Sequence, residues 1–468
     1  MSSGIPAGPG AGRPPRAAVI GGGLAGIAAA LDLAAAGWTV VLLERGPVLG
    51  GLCRSVADPA LGRVDTGQHV YLHCCTALEG LLRRLAVEPA IRQSRLELVM
   101  VDGRTGAARR LRAGPGPAPL HLAPPLLRWP GLGSGDRARA ARALRHLDRL
   151  DAAARRELDA VPFAAWLQSW GVADHVVRRL FEPLIVATCN TAIEACSTGL
   201  AAFVIQEGLL RDAGGAALRL PSTDLSAWLD PPARRALAAA GVAVRLRWRA
   251  TAIGRAPGGG FQVVGGPATA HHEEVDGVVC AVPAAAARRL LPPDLADDPV
   301  LAAAAQLPLS PIVNVHLVTD RPILPAPVVT VVESPLQWVF GRAGGARAVA
   351  AEAPGGYHAA VSLSAADRWV AEPADRVVSE MWAACHRAFP AARRARLLHQ
   401  RVTREPQATF AAIAGSGRAR PGPATGDPHL ALAGSWTDTG WPATMEGAVR
   451  SGRRAAAVLQ PAARDRTG

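Results

Sequence analysis

The residues best placed to do chemistry stand near the start of the chain. Gly21, Gly23 and Gly26 belong to a GGGLAG run, behind the apolar stretch Ala17–Ile20 and ahead of a helix-forming run, Ile27–Ala36, that ends at Gly37. In that setting Gly21 permits a tight turn, Gly23 lets the backbone approach a pyrophosphate at the helix N-terminus, and Gly26 allows close helix–strand packing. A β-rich stretch, Trp38–Leu43, then leads to Glu44, where an acid accepts hydrogen bonds from a ribose 2′-hydroxyl. A bare glycine repeat is common. The order strand, glycine turn, helix, strand, acid predicts a dinucleotide with an unphosphorylated ribose.

The rest of the chain must hold that unit. Its 468 residues, 49% hydrophobic and 19% charged, exclude intrinsic disorder and give length for two or three interleaved domains around a large ligand. The net charge of +13 is carried by Arg alone, without Lys, and is spread without interleaved aromatics. That pattern reads as a solvated or membrane-facing surface and not a nucleic-acid interface. Seven Cys without a CxxC pair point to reduced thiols and no metal site. The first 16 residues lack an apolar core and read as a disordered leader, with no export signal. The run from Ala17 to Leu43 is long enough to span a bilayer, but its five glycines and Asp32 favour the nucleotide unit.

Composition shifts suggest the domain limits. Residues 17–94 read as the first part of the nucleotide domain, and 95–240 as a mostly helical substrate domain with a candidate membrane-contacting segment at 120–150. Residues 241–300 return to the nucleotide domain, 301–410 read as an antiparallel sheet, and 411–462 close the nucleotide domain. Within 136–150, Leu144, Leu147 and Leu150 fall along one side, with Arg142, Arg145 and Arg149 elsewhere, a pattern of a basic interfacial helix or of a surface helix packed on its domain. The final helix begins near Thr444, after Pro442, and its first turn can offer N–H groups to an electron-rich acceptor.

Glu44 to Ser55, ERGPVLGGLCRS, resembles the extended flavin signature ExxxxxGGxxR[ST] of the amine oxidase and phytoene desaturase superfamily. Together with VDTGQHVYL, PLHLAPPLL, FEPLIVATCNT, LQWVFGR, ATFAA and WTDTGWPATMEGAVRSGR, it makes the chain similar to the bacterial hydroxysqualene dehydroxylases, also described as squalene-associated FAD-dependent desaturases. The resemblance runs nearly end to end. It implies an α/β fold, with a Rossmann-type FAD-binding domain and an inserted α+β substrate domain. It also implies an enzyme that reduces hydroxysqualene to squalene in hopanoid or related triterpene synthesis, beside squalene-synthase-like enzymes. A cytoplasmic protein, peripheral on the inner face of the membrane, is expected. Besides the glycine turn with Leu24 and Ala25, it places FAD contacts at Glu44, Arg45, Gly50, Gly51, Arg54, Gly67, Gln68, Ala250, Gly434, Ser435, Thr444 and Met445. The chain departs from the family pattern at Ser435, usually Asp, at Thr66, usually Asn, and at Leu52, usually Arg.

Removing an allylic hydroxyl takes a hydride for the carbon and a proton for the departing oxygen. Asp438, Glu446 and His69 are the candidate proton donors. Each has a structural alternative: a turn cap for Asp438, a helix-dipole position for Glu446 and a satisfied core histidine for His69. The absence of Lys demotes amine oxidation, because many relatives hold a water at the flavin N5 with a lysine. A carotenoid desaturase or isomerase, and a non-catalytic prenyl-lipid carrier, remain as alternatives.

Overall fold

The computed structural model describes residues 13–59, 61–221, 223–266, 271–341 and 356–465. Most of the leader therefore lies outside the described residues, and Arg16 already opens the first strand. In chain order, strand β1 (Arg16–Ile20), helix α1 (Leu24–Ala35) and strand β2 (Thr39–Glu44) form the glycine-turn unit. A hairpin of β3 (Ser55–Asp58) and β4 (Gly62–Asp65) precedes helix α2 (Thr76–Arg84). Strands β5 (Glu97–Asp102) and β6 (Ala108–Arg112) are followed by helices α3 (Ser134–Arg149), α4 (Glu182–Cys189) and α5 (Leu225–Ala239).

Strand β7 (Ala243–Leu246) returns to the first unit, ahead of a three-stranded antiparallel sheet of β8 (Arg249–Arg255), β9 (Phe261–Gly266) and β10 (His271–Val275). Strand β11 (Gly277–Cys280) precedes β12 (Leu309–Thr319), β13 (Val328–Val332), β14 (Gln337–Gly341), β15 (Tyr357–Leu363) and β16 (Leu397–Phe410). Strand β17 (Leu430–Leu432) and helix α6 (Met445–Asp465) end the fold.

Two sheets organise these elements. The first is parallel, in the order β7-β2-β1-β11-β17. Its central strands are buried on both faces, as RAAVI and GVVC read, because helices cover a parallel sheet. The second has seven strands in the order β16-β12-β15-β14-β13-β5-β6, antiparallel except where β5 runs beside β13. Both the α/β class and the Rossmann-type unit are as expected.

Packing refines the sequence reading in two places. Helix α5, grouped above with residues 95–240, buries Leu225, Trp228, Leu229 and Leu237 in the same apolar layer as α1. Helix α3 turns its leucines inward: Leu147 is fully buried, and Leu144 and Leu150 pack on the same core. Arg142 lies over the Trp170 ring and donates to the Trp170 carbonyl at 3.0 Å. The interfacial-helix reading of that leucine side is thus corrected. The exposed apolar side chains of the region are Leu120 and Leu127, at 68% and 65%. Among the described residues no helix is long and apolar enough to cross a membrane.

Helix α6 carries the chain end back onto its beginning. Val449, Ala455, Ala456 and Leu459 share the apolar layer of α1, and a Cβ on Gly452 would stand 2.0 Å from the Ala25 carbonyl oxygen. Gly452→Ala is therefore expected to push the two helices apart and to cost about 1–3 kcal/mol, read as a lower urea midpoint at unchanged slope.

Candidate active site

The glycine turn is built from backbone contacts that leave no room for side chains. Gly21 N–H donates to the Leu43 carbonyl at 2.8 Å, and a Cβ on Gly26 would fall 1.8 Å from the Gly21 oxygen. Helix α1 starts at Gly23 with no side-chain cap and no acid in its first turn, so the N–H groups of Leu24 and Ala25 are available to an anion. Glu44 is oriented by Gly22 N–H at 2.7 Å and Gly46 N–H at 2.5 Å. Its carbonyl accepts from Trp248 N–H at 2.9 Å, which brings the start of β8, with Ala250, alongside. Arg45 is exposed next to it.

The second glycine pair lies against the first. Gly50 N–H donates to the Gly22 carbonyl at 2.8 Å, and Gly51, at φ +61°, would place a Cβ 3.1 Å from the Gly23 Cα. From there backbone bonds lead onward: Cys53 N–H to Gly50, then Thr66 N–H to the Arg54 carbonyl at 3.1 Å. Thr66 adds its hydroxyl to that carbonyl at 3.2 Å, and the Arg54 guanidinium pairs with Glu405 at 3.3 Å.

The second sheet then grips the segment before Gly67. His316 Nε2 donates to the Asp65 carbonyl at 3.0 Å, Asn314 Nδ2 to the Thr66 carbonyl at 2.9 Å, and Thr403 Oγ1 to the same carbonyl at 3.3 Å. A continuous track thus runs from the α1 N-terminus past Gly50, Gly51 and Arg54 to Gly67 and Gln68.

The C-terminal loop is shaped by a residue the sequence reading missed. Arg420 is buried and donates to the carbonyls of Ser435, Trp436, Thr437 and Trp441, the Thr437 bond being 2.6 Å. Its guanidinium lies 4.8 Å from the Phe410 ring centre, and burial lowers its pKa to about 10, so it stays charged near neutrality. Gly434 N–H donates to Ser451 Oγ at 2.8 Å, and Thr444 Oγ1 accepts from Gly447 N–H at 3.2 Å, ahead of Met445 at the start of α6. Ser435 meets Arg420 through its backbone carbonyl.

The three candidate acids fare differently. Asp438 is exposed, and its Oδ1 accepts from Gly440 N–H at 2.9 Å within its own turn. Glu446 is fully buried and accepts from Ala77 N–H at 3.1 Å, Leu78 N–H at 2.7 Å and Arg450 Nε at 2.6 Å. Those donors make it a tie between α6 and the N-terminus of α2, so the proton-donor role is corrected for it. His69 is half-buried at the end of the track, with Nδ1–H donating to the Gly67 carbonyl at 3.1 Å. Burial alone would push its pKa down. The Cys53 sulfur beside it, with the Gly67 carbonyl and Asp65, outweighs burial and holds the imidazole at about 9.

Two features of the FEPLIVATCNT segment also escaped the sequence reading. Asn190, at φ +47° after α4, donates to the Ser310 carbonyl at 3.1 Å and to Thr409 Oγ1 at 2.9 Å, and accepts from Ala365 N–H at 2.7 Å. It clamps α4 to the second sheet. Glu182 lines a cavity with Thr330 and Trp338, and burial, helped by Glu194, raises its pKa.

These residues fit a flavin dinucleotide. The uncapped helix end suits a pyrophosphate, the Gly22–Gly23 and Gly50–Gly51 cradle would be filled by any Cβ, and Asn314 Oδ1 and Gln68 Nε2 are buried at the far end without partners. A profile of the flavin containing amine oxidoreductase family matches residues 24–460, and the chain belongs to that family of FAD-dependent oxidoreductases. Within it the chain groups with the hydroxysqualene dehydroxylases. It is 34% identical to the hydroxysqualene dehydroxylase of Rhodopseudomonas palustris over 461 residues, covering 95% of this chain and 98% of that one. The hydroxysqualene dehydroxylase of Sinorhizobium fredii is 30% identical over 94% of this chain and 96% of its own length. Among solved structures, putrescine oxidase bound to putrescine superposes with a TM-score of 0.70 at 18% identity, over 95% of this chain and 98% of that one. That likeness concerns the fold.

Replacing Glu446 with Ala removes the carboxylate partner of Arg450 and strands two helix-start N–H groups. A loss of about 2 kcal/mol of unfolding free energy is expected, measured by urea denaturation of the holoprotein.

Proposed function

We propose that the protein reductively removes the allylic hydroxyl of hydroxysqualene to give squalene, a step of hopanoid or related triterpene synthesis. The observation that carries this reading is the end-to-end similarity to dehydroxylases, 34% identity over 95% of the chain. FAD, when bound and reduced, supplies the hydride that replaces the hydroxyl on carbon. The chain supplies the proton and the apolar surroundings. His69 is given the role of acid, because it stands at the end of the cofactor track and stays protonated up to about pH 9. Val70 and Leu72, next in sequence, pack with Leu218, Val328, Trp338 and Phe340 into an apolar wall suited to a polyisoprene chain. Such a wall excludes water and strengthens proton transfer at the departing oxygen.

The test is a single anaerobic turnover of the reduced protein with hydroxysqualene. Formation of squalene together with return of the oxidised flavin bands is expected; a flavin that stays reduced overturns the reading. His69 carries its proton below its folded pKa and loses it above, so the rate is expected to fall as pH rises through about 9. His69→Gln should slow the step by roughly 10²–10⁴-fold and abolish that fall. A loss of the same size in Glu182→Gln, with His69→Gln near wild type, would move the acid to the Glu182 cavity.

The substrate's insolubility calls for delivery from a bilayer, in the vicinity of squalene-synthase-like enzymes. Leu120 and Leu127, with Arg128 next to them, are proposed to dip into the headgroup region of an anionic leaflet. The double change Leu120→Ser with Leu127→Ser is expected to weaken sedimentation with phosphatidylglycerol vesicles about tenfold, at about 1.4 kcal/mol per tenfold.

A further inference from the structure

Asn314 sits fully buried within β12. The orientation of its amide is fixed by chemistry: Nδ2 faces the Thr66 carbonyl at 2.9 Å, a group that only accepts. Oδ1 therefore points the other way, and there it has no donor. A buried acceptor without a donor is costly to keep unless a ligand completes it. Gln68 Nε2 is likewise buried and lacks an acceptor. Both side chains adjoin Gly67: Gln68 follows it in sequence, and a Cβ at Gly67 would stand 3.9 Å from the amide nitrogen of Asn314 and 3.5 Å from His69 Cε1. A single ligand completing both would present an N–H and a carbonyl at the end of the cofactor track.

We infer that Asn314 Oδ1 accepts from the N–H that FAD carries at N5 only when reduced, while Gln68 Nε2 donates to the adjoining ring carbonyl, so that Asn314 favours the reduced cofactor. N5 is chosen over the other ring N–H groups because His69, the proposed acid, flanks the same glycine. An oxidised flavin offers N5 as an acceptor, and two acceptors face to face repel. The contact thus differs between the two redox states, which is what shifts a potential. The inference rests on the reductive reading for its purpose, yet its test uses no triterpenoid.

The measurement is the two-electron midpoint potential of the holoprotein by spectroelectrochemistry. Asn314→Leu is expected to lose about tenfold of the preference for reduced over oxidised FAD, a fall of about 30 mV. Thr403→Val removes another donor from the same Thr66 carbonyl and is expected to leave the potential where it is. An unchanged potential in Asn314→Leu overturns the proposal. So does an equal fall in Thr403→Val, which would trace the effect to movement of the 65–67 segment. Where Asn314→Leu fails to hold FAD, wild-type protein loaded with FAD labelled with ¹⁵N at N5 decides. A reduced N5–H proton resonance downfield of free reduced flavin supports the assignment, and one at the free position overturns it. Because hydroxysqualene takes no part, failure of the dehydroxylation reading would show separately.

Discussion

Everything in this structure depends on backbone meeting backbone where no side chain can stand. Gly26 crosses the Gly21 carbonyl, Gly51 lies on Gly23, and Gly452 lies on Ala25. These three contacts bring the turn, the second glycine pair and the C-terminal helix to one end of α1. The helix end is thereby left uncapped by the protein, with its N–H groups and positive dipole directed at a single region. Without such close approach the parallel sheet would still form, but the cradle along it would be filled.

From that cradle the polar framework continues to the second sheet. Asp65 and Thr66 are held through their carbonyls, and the donors come from β12 and β16. This division of labour matters chemically. The sheet that contributes Val328, Trp338 and Phe340 to the apolar wall also holds the segment that leads into Gly67 and His69, so that segment and a hydrophobic surface share one rigid support. Arg420 does the equivalent for the C-terminal loop, spending its donors on four carbonyls and so setting the path of residues 435–441.

What could be read in the sequence follows from the range of the interactions. The glycine turn and Glu44 act within about two dozen residues, and their spacing alone specifies strand, turn and helix. Gly50, Gly51 and Arg54 became legible through resemblance, since nothing local says that they lie on Gly23. Glu446 shows the limit. Its position in a first helical turn suggested an acid near the cofactor, but its partners are Ala77 and Leu78, far away in sequence and invisible to any spacing rule. Asn314 and Arg420 were hidden for the same reason: one sits in an ordinary strand pattern, the other in a Pro- and Gly-rich loop, and only the tertiary fold shows whom they meet. The leucines of α3 misled because a membrane-facing side and a core-facing side have the same period.

The strand order β7-β2-β1-β11-β17 also sets a timetable for biosynthesis. β2 can pair with β1 almost as soon as it leaves the ribosome, but β11, on the other edge of β1, follows about 250 residues later. At roughly 5–20 residues per second, an apolar strand edge stays open for about 12–50 seconds. The last strand and the helix that closes over α1 arrive only at the chain's end. A nascent chain therefore exposes the free edge of β1 until β11 has emerged, and the packing at the N-terminal end of α1 is completed only when α6 follows.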